Sequence, residues 1–246
     1  MNLLQGITQY KHTLNMKITN ISLSKLFLFA AAGITLSLSS CSKDDDFETG
    51  GTVNVKVVNA AELSLYQDVF INDAKINSSA VGYLESTGYI STPNSGADRR
   101  IEFRNTGTTN VYESEDADLK QNAHYTVFLT GTGSSADIQV AQDNLSAPSS
   151  GKAKVRFIHL STKASENIDI YNGTTSKIVG NLERGDDVSD FQEVSAGVTG
   201  FGILPAGNTD ITAVTNLSFN ALEAGKIYTI IIYGSTNVTS KVIVHE

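Results

Sequence analysis

Val55-Lys56-Val57-Val58-Asn59-Ala60-Ala61 returns later in the chain as Val155-Arg156-Phe157-Ile158-His159-Leu160-Ser161. Apolar and polar residues alternate in both stretches. Val53, Val55 and Val57 stand against Asn54 and Lys56, and Val155 and Phe157 against Lys154 and Arg156. A period of two reads as a strand with one face in a core and the other in water. Three more matches follow in the same order. Val69-Phe70-Ile71-Asn72-Asp73 returns as Asp169-Ile170-Tyr171-Asn172-Gly173, with Ile71-Asn72 on Tyr171-Asn172. Val81-Gly82-Tyr83-Leu84-Glu85 returns as Val179-Gly180-Asn181-Leu182-Glu183, and the run from Leu119 to Val127 as that from Leu222 to Ile230. The offsets stay between 98 and 103. Four matches in order argue for internal duplication rather than shared composition.

Turn chemistry separates the apolar runs: Asn72-Asp73, the stretches 94–96 and 105–107, Asn172-Gly173 and the stretch 206–208. No run of ten or more residues has helical spacing beyond the first 40. The sequence therefore predicts an all-β chain: two tandem immunoglobulin-like β-sandwich domains (52–147 and 152–246) after a signal peptide (1–40) and a short acidic linker (41–51). Tyr125 and Tyr228 each follow a Leu by six residues and open an apolar strand. That placing suits a tyrosine corner, whose hydroxyl bonds back to the chain. The runs Val127 to Leu129 and Ile227 to Tyr233 are nearly continuously apolar. They predict strands that are central or covered by the neighbouring domain.

Residues 26–38 form an uncharged, mostly apolar run of thirteen, preceded by Lys17 and Lys25. Such a run fits a signal-peptide core and falls short of the roughly 18 or more residues of a membrane-spanning helix. Leu38-Ser39-Ser40-Cys41 resembles the bacterial lipobox, which implies a lipid attached at Cys41 and the membrane as a partner. Cys41 is the single cysteine, so neither disulfides nor thiolate metal clusters hold the fold. Next, Lys43, Asp44, Asp45 and Asp46 resemble the short acidic signal that passes Bacteroidetes lipoproteins to the outside of the outer membrane. The expected location is the outer membrane, lipid-anchored and exposed at the cell surface.

Several strings together resemble the domain of unknown function 4397 family of secreted and surface proteins: Val-Arg-Phe-Ile-His at 155–159, Ile-Asp-Ile-Tyr-Asn-Gly at 168–173, Ser-Ala-Gly at 195–197 and Leu-Glu-Ala-Gly-Lys-Ile-Tyr-Thr at 222–229. The resemblance covers most of 152–246. The first copy departs from it, with Asn122 in place of Gly225 and Arg99-Arg100 in the turn before Ile101. The resemblance implies a Bacteroidetes-type lipoprotein of two tandem extracytoplasmic β-sandwiches; it transfers no activity.

Of 18 Lys and Arg, three lie in the signal, so 15 bases face 26 acids beyond it, a net of −11. Such a surface repels phosphate backbones, and no nucleic-acid partner is expected. His12, His124, His159 and His245 are scattered; no Gly-x-Ser-x-Gly string or phosphate-binding loop occurs. Glu113, Glu115, Asp116 and Asp118 crowd an expected loop, as do Asp186, Asp187 and Asp190, but neither has the twelve-residue calcium pattern. Neither a catalytic residue, a cofactor nor a metal is assigned. Tyr66, Tyr83, Tyr89 and Tyr112, clustered in the first copy, are the aromatics available to stack on sugars. The expectation is a lipid-anchored, non-enzymatic binding or structural module with a protein or glycan partner. The alternative is a glycan-binding accessory of a polysaccharide-uptake system.

Overall fold

The computed structural model describes residues 51–173, 175–185 and 188–246. They are all-β, with two single turns of 3-10 helix and two sandwiches in series. The first holds β1 (Val53–Asn59), β2 (Gln67–Ile71), β3 (Ala74–Lys75), β4 (Glu85–Ser86), β5 (Ile90–Thr92), β6 (Gly96–Asn105), β7 (Val111–Leu119), β8 (His124–Thr130) and β9 (Asp137–Gln142). The second holds β10 (Lys152–His159), β11 (Asn167–Asn172), β12 (Ser176–Glu183), β13 (Gln192–Ser195), β14 (Gly200–Pro205), β15 (Thr215–Ser218), β16 (Ile227–Tyr233) and β17 (Thr239–His245).

One sheet of the first sandwich runs β4-β1-β8-β9, with β5 also on β1, and the other runs β3-β2-β6-β7. The second sandwich has the same order: β13-β10-β16-β17 and β12-β11-β14-β15. In each, the opening strand lies parallel to the penultimate one, Val55 opposite Tyr125 and Val155 opposite Tyr228. Every other strand pair is antiparallel. Immunoglobulin domains place their first strand at a sheet edge. Here it is internal, so the architecture is shared while the strand order is the chain's own.

This register corrects two of the four sequence matches. Asp68 pairs with Lys75 at 2.7 Å and Asp169 with Lys177 at 3.0 Å, so β2 lies on β11 one residue away from the sequence match. A one-residue slip would turn every side chain over. Val69 and Ile71 are buried, as are Ile168 and Ile170, whereas Tyr171 is half-buried. The third match shifts by three. Leu84 N donates to Asn59 O and Gly185 N to His159 O, and both residues have positive φ, 59° and 86°. The reason is local. In the first sandwich the Asn77 carboxamide accepts from Val69 N and donates to Gln67 O, where the second runs an unbroken β12.

Each sandwich has its own core, one built on Val55, Val69, Phe103 and Val127, the other on Val155, Ile170, Phe201 and Ile230. A third apolar cluster joins them. Val58 and Phe128 of the first sandwich pack with Ile158, Ile231 and Ile243 of the second. The outer faces of sheets β4-β1-β8-β9 and β13-β10-β16-β17 therefore cover one another. This corrects the expected water-facing side: Lys56 is 4% and Arg156 2% exposed. It also explains the continuous apolar runs, because β8 and β16 are both central and covered.

Two details of the corners agree with the sequence. Tyr125 Oη accepts from Lys120 N at 3.1 Å, and Tyr228 Oη from Glu223 N at 3.0 Å. Asn122 and Gly225 both have positive φ, 59° and 82°, and their N–H groups donate to Thr52 O and Lys152 O. Asn tolerates this conformation better than most residues, so the departure keeps the same turn. Arg99 and Arg100 differ from expectation: they lie on β6 beside a bulge, not in a turn.

Candidate functional site

Lys56 on β1 faces Thr126 on β8, and Arg156 on β10 faces Thr229 on β16. Asp143 follows β9 and His245 ends β17; Tyr89 precedes β5 and Phe191 precedes β13. These four pairs of corresponding positions meet where the sandwiches join. Arg156 Nη2 reaches Asp143 Oδ1 at 2.5 Å, with both side chains buried. Arg156 Nε donates to Thr229 Oγ1 at 2.9 Å. Thr126 and Tyr89 donate to Asp143 Oδ2 at 2.7 and 2.6 Å. Tyr89 has one proton, so its oxygen accepts from His245 Nδ1 at 2.8 Å. Nε2 of His245 then accepts from Thr229 Oγ1 at 2.7 Å. A closed ring results: Arg156, Thr229, His245, Tyr89, Asp143 and back to Arg156.

The ring's protons are fixed by burial. Burial above all pushes His245 down to about 4; nearby Asp143 opposes this while Arg156 and Lys56 reinforce it. Burial, followed by the Asp143 charge, pushes the Tyr89 phenol well up. His245 is thus neutral and Tyr89 protonated at pH 7. Two cations stack on rings at corresponding places, Lys56 over Tyr89 at 5.3 Å and Arg156 over Phe191 at 4.6 Å. Thr229, His245 and Asp143 resemble a hydroxyl–imidazole–carboxylate relay. However, the Thr229 hydroxyl has no exposure, and His245 Nδ1 lies 3.9 Å from Asp143 Oδ2, with Tyr89 linking them. The arrangement holds two sheets together rather than offering a nucleophile.

The exposed chemistry lies elsewhere. Val53 opens β1 where the chain enters, and Asn59 closes it at the far end. Asn59 is wholly buried and braces the following loop: its Nδ2 donates to Ser64 Oγ and Val81 O, and its Oδ1 accepts from Ala61 N and Ser64 Oγ. The braced loop presents Leu63, Leu65 and Tyr66 at 88%, 66% and 60% exposure. Leu63 has φ 66°, a conformation that costs an L-residue about 1–2 kcal/mol. In the second sandwich His159 takes the brace's place, its Nε2 donating to Ser165 O at 2.8 Å, yet the loop reads Thr162, Lys163, Ala164 and Ser165. An isolated exposed Leu is ordinary; three large apolar side chains on four residues of a strained, braced loop form a patch. The ring joins the entry ends of both sandwiches, and Tyr83 meets Tyr233 edge-on at 6.3 Å near the far ends. Both far ends thus lie on the same side, away from where the chain enters.

Of the four predicted tyrosines, Tyr66 alone is strongly exposed. Tyr83 and Tyr89 lie at the junction, and Tyr112 Oη accepts from Gly133 N at 3.1 Å while packing on the core. The stacking platform expected from the sequence is therefore not assembled. His159 is buried and hydrogen-bonded, and His124 packs edge-on against Tyr89 at 5.0 Å. Glu113, Glu115, Asp116 and Asp118 lie on strand β7 and not in a loop. Facing β6, Asp116 pairs with Arg100 at 3.5 Å and Asp118 accepts from Asp98 N, so cross-strand partners make a strand of an acidic run. Among the described residues no group of three or more His, Cys, Asp or Glu could hold a metal. Leu38, Ser39, Ser40, Cys41, Lys43, Asp44, Asp45 and Asp46 lie outside the described residues, as do Asp186 and Asp187. Sequence reasoning missed the ring. Its one available signal was a cation at the same place in both opening strands, Lys56 and Arg156.

The first sandwich and its continuation into the second carry a family signature. Residues 53–171 match the family described as a domain of unknown function, DUF4397. The DUF4397 match takes in β1 to β10 and most of β11, whereas the resemblance read from the sequence lay mainly in 152–246. No curated protein matches the chain. Among solved structures, a family 26 carbohydrate-binding module of Eubacterium rectale Amy13K, in complex with maltoheptaose, is 11% identical with a TM-score of 0.26. That likeness covers 78% of this chain and 96% of the module. A Bacteroides uniformis protein with a provisional assignment to cell adhesion is 11% identical with a TM-score of 0.21, over 80% of this chain and 98% of its own. Likenesses this low carry no argument about what the chain binds.

Proposed function

We propose that this protein is a non-enzymatic binding module of the cell envelope, built of two tandem DUF4397 domains (52–147 and 152–246) acting as one body. Lipid on Cys41, placed by Leu38, Ser39 and Ser40, holds it to the outer membrane. Lys43, Asp44, Asp45 and Asp46 pass it to the cell surface. The observation that carries the reading is the braced apolar loop, Leu63, Leu65 and Tyr66, at the end away from the N-terminal entry. An exposed apolar patch at the end away from where the described residues begin suits capture of a partner. The hydroxyl, imidazole and carboxylate of Thr229, His245 and Asp143, which resemble an acid–base relay, are committed to joining the sandwiches.

Photo-crosslinking side chains placed at Leu63 and Leu65 in intact cells test this. A discrete adduct at both positions, absent when the crosslinker replaces Lys226 at the entry end, is the expected result. No adduct at either loop position would contradict it.

A further inference from the structure

The junction leaves an open groove on one side. It has a volume of about 660 Å³ and runs along β9, with residues 188–191 as its far wall. Ligand pockets commonly span about 300–1,000 Å³. The second sandwich's corresponding strand, β17, lines a groove of about 430 Å³ against Leu84, Glu85 and Ser86. Their walls differ position by position: Gln142 on β9 corresponds to Val244 on β17, and Ala141 to Ile243. One groove carries the carboxamides of Gln139, Gln142 and Asn144, while the other has none and mixes Val242, Ile243 and Val244 with Glu85 and Lys241.

We infer that the carboxamide groove binds a neutral oligosaccharide. Arg156 lines it while 98% shielded from water. Its Nε goes to Thr229 and its Nη2 to Asp143, so the guanidinium is fixed beside the groove. Asp143 already matches the guanidinium charge, so Arg156 lines the groove without presenting a net cation. Lys154 is held by Ser146 O and Oγ at 2.7 and 2.6 Å and stands opposite Glu193. Asp190 stands exposed on the wall. An anion would therefore meet a carboxylate and no uncommitted cation, while hydroxyls find both donors and acceptors. Gln142 and Asn144 are exposed, and each carboxamide both donates and accepts, as a sugar hydroxyl does. Half-buried Phe191, one face under Arg156, gives the groove an apolar surface for sugar C–H groups.

The inference rests on the binding-module reading but on a different surface, so the two can fail separately. Full-length protein in a detergent without a sugar headgroup is titrated calorimetrically with three- to seven-unit glucose, mannose and xylose oligosaccharides, and with oligogalacturonate. Saturable binding of at least one neutral series is expected, weakened at least tenfold by Gln142→Ala and by Asn144→Ala. Gln142→Glu, which keeps the length but loses the amide donor, weakens it as well. Leu63→Ser, at the far loop, leaves it unchanged. No neutral binding, equal affinity in all groove variants, or preference for oligogalacturonate would overturn the assignment. Loop crosslinking would then still report on the module itself.

Discussion

Asp143 and Arg156 meet at 2.5 Å with both side chains shut off from water, one just after β9 and the other within β10. Each sandwich thus supplies one charge to an ion pair that neither could bury alone. Removing one partner of such a pair leaves an uncompensated buried charge, at a cost of about 3–5 kcal/mol. Asp143→Ala should lower unfolding stability by that order in urea titrations. The double variant Asp143→Leu, Arg156→Met should recover much of it, because well-packed apolar replacements remove the desolvation cost.

The histidine in the ring makes stability depend on acidity in a defined window. The folded pKa of His245 is lowered to about 4, against an unfolded value of about 6.5. Below pH 6.5 the unfolded chain takes up a proton that the folded chain refuses. The contribution is therefore complete above about 6.5 and is lost as pH falls towards 4, a total on the order of 3 kcal/mol. His159 is lowered chiefly by burial as well, despite its Ser165 bond, and acts in the same sense. Thermal midpoints measured from pH 7.5 to 4.5 should fall for the wild type and fall less for His245→Gln. An unchanged slope in the variant would contradict the ring.

The two corner tyrosines should behave as a matched pair. Tyr125→Phe and Tyr228→Phe each remove a hydroxyl acceptor from one backbone N–H, at about 0.5–1.5 kcal/mol, or up to about 3 if that N–H is cut off from water. Chemical denaturation of each variant checks this, and costs of similar size are expected because both bonds have the same geometry.

Leu63 is expected to oppose stability. Leu63→Gly relieves the positive φ and should raise stability by about 0.5–1 kcal/mol, read as a higher urea midpoint. The same change should weaken adduct formation from a crosslinker at Leu65. A gain in stability with loss of capture is the pattern of a residue kept for binding.

Much of the fold was legible because a period of two and Asn- or Gly-bearing turns are local signals. Val55 and Val155, and Tyr125 and Tyr228, correspond as read. The β2 match slipped by one because Ile71, Ile170 and Tyr171 are all plausible core residues, and only Asp68–Lys75 and Asp169–Lys177 fix the register. Polar residues alternating along β1 and β10 were read as facing water. That inference fails when two such faces meet: Arg156 finds Asp143 across the junction, while Lys56, Thr126 and Thr229, covered by the other sheet, bond to Thr87 O, Asp143 and His245 within their own sandwiches. Asp143, His245 and Tyr89 lie far apart in sequence, and no local pattern joins them. The sugar platform failed for a related reason: exposure of Tyr83 and Tyr89 depended on a neighbouring sheet that no strand pattern announces.

If the module is held at the cell surface, its far end meets its partner outside the cell. Protease shaving of intact cells tests that location most directly, comparing wild type with a variant in which Asp44, Asp45 and Asp46 are all changed to Ala. The wild type should be cleaved from intact cells and the variant protected. If both are protected in intact cells and both are cleaved after lysis, the protein faces the periplasm and the claim of surface capture is wrong.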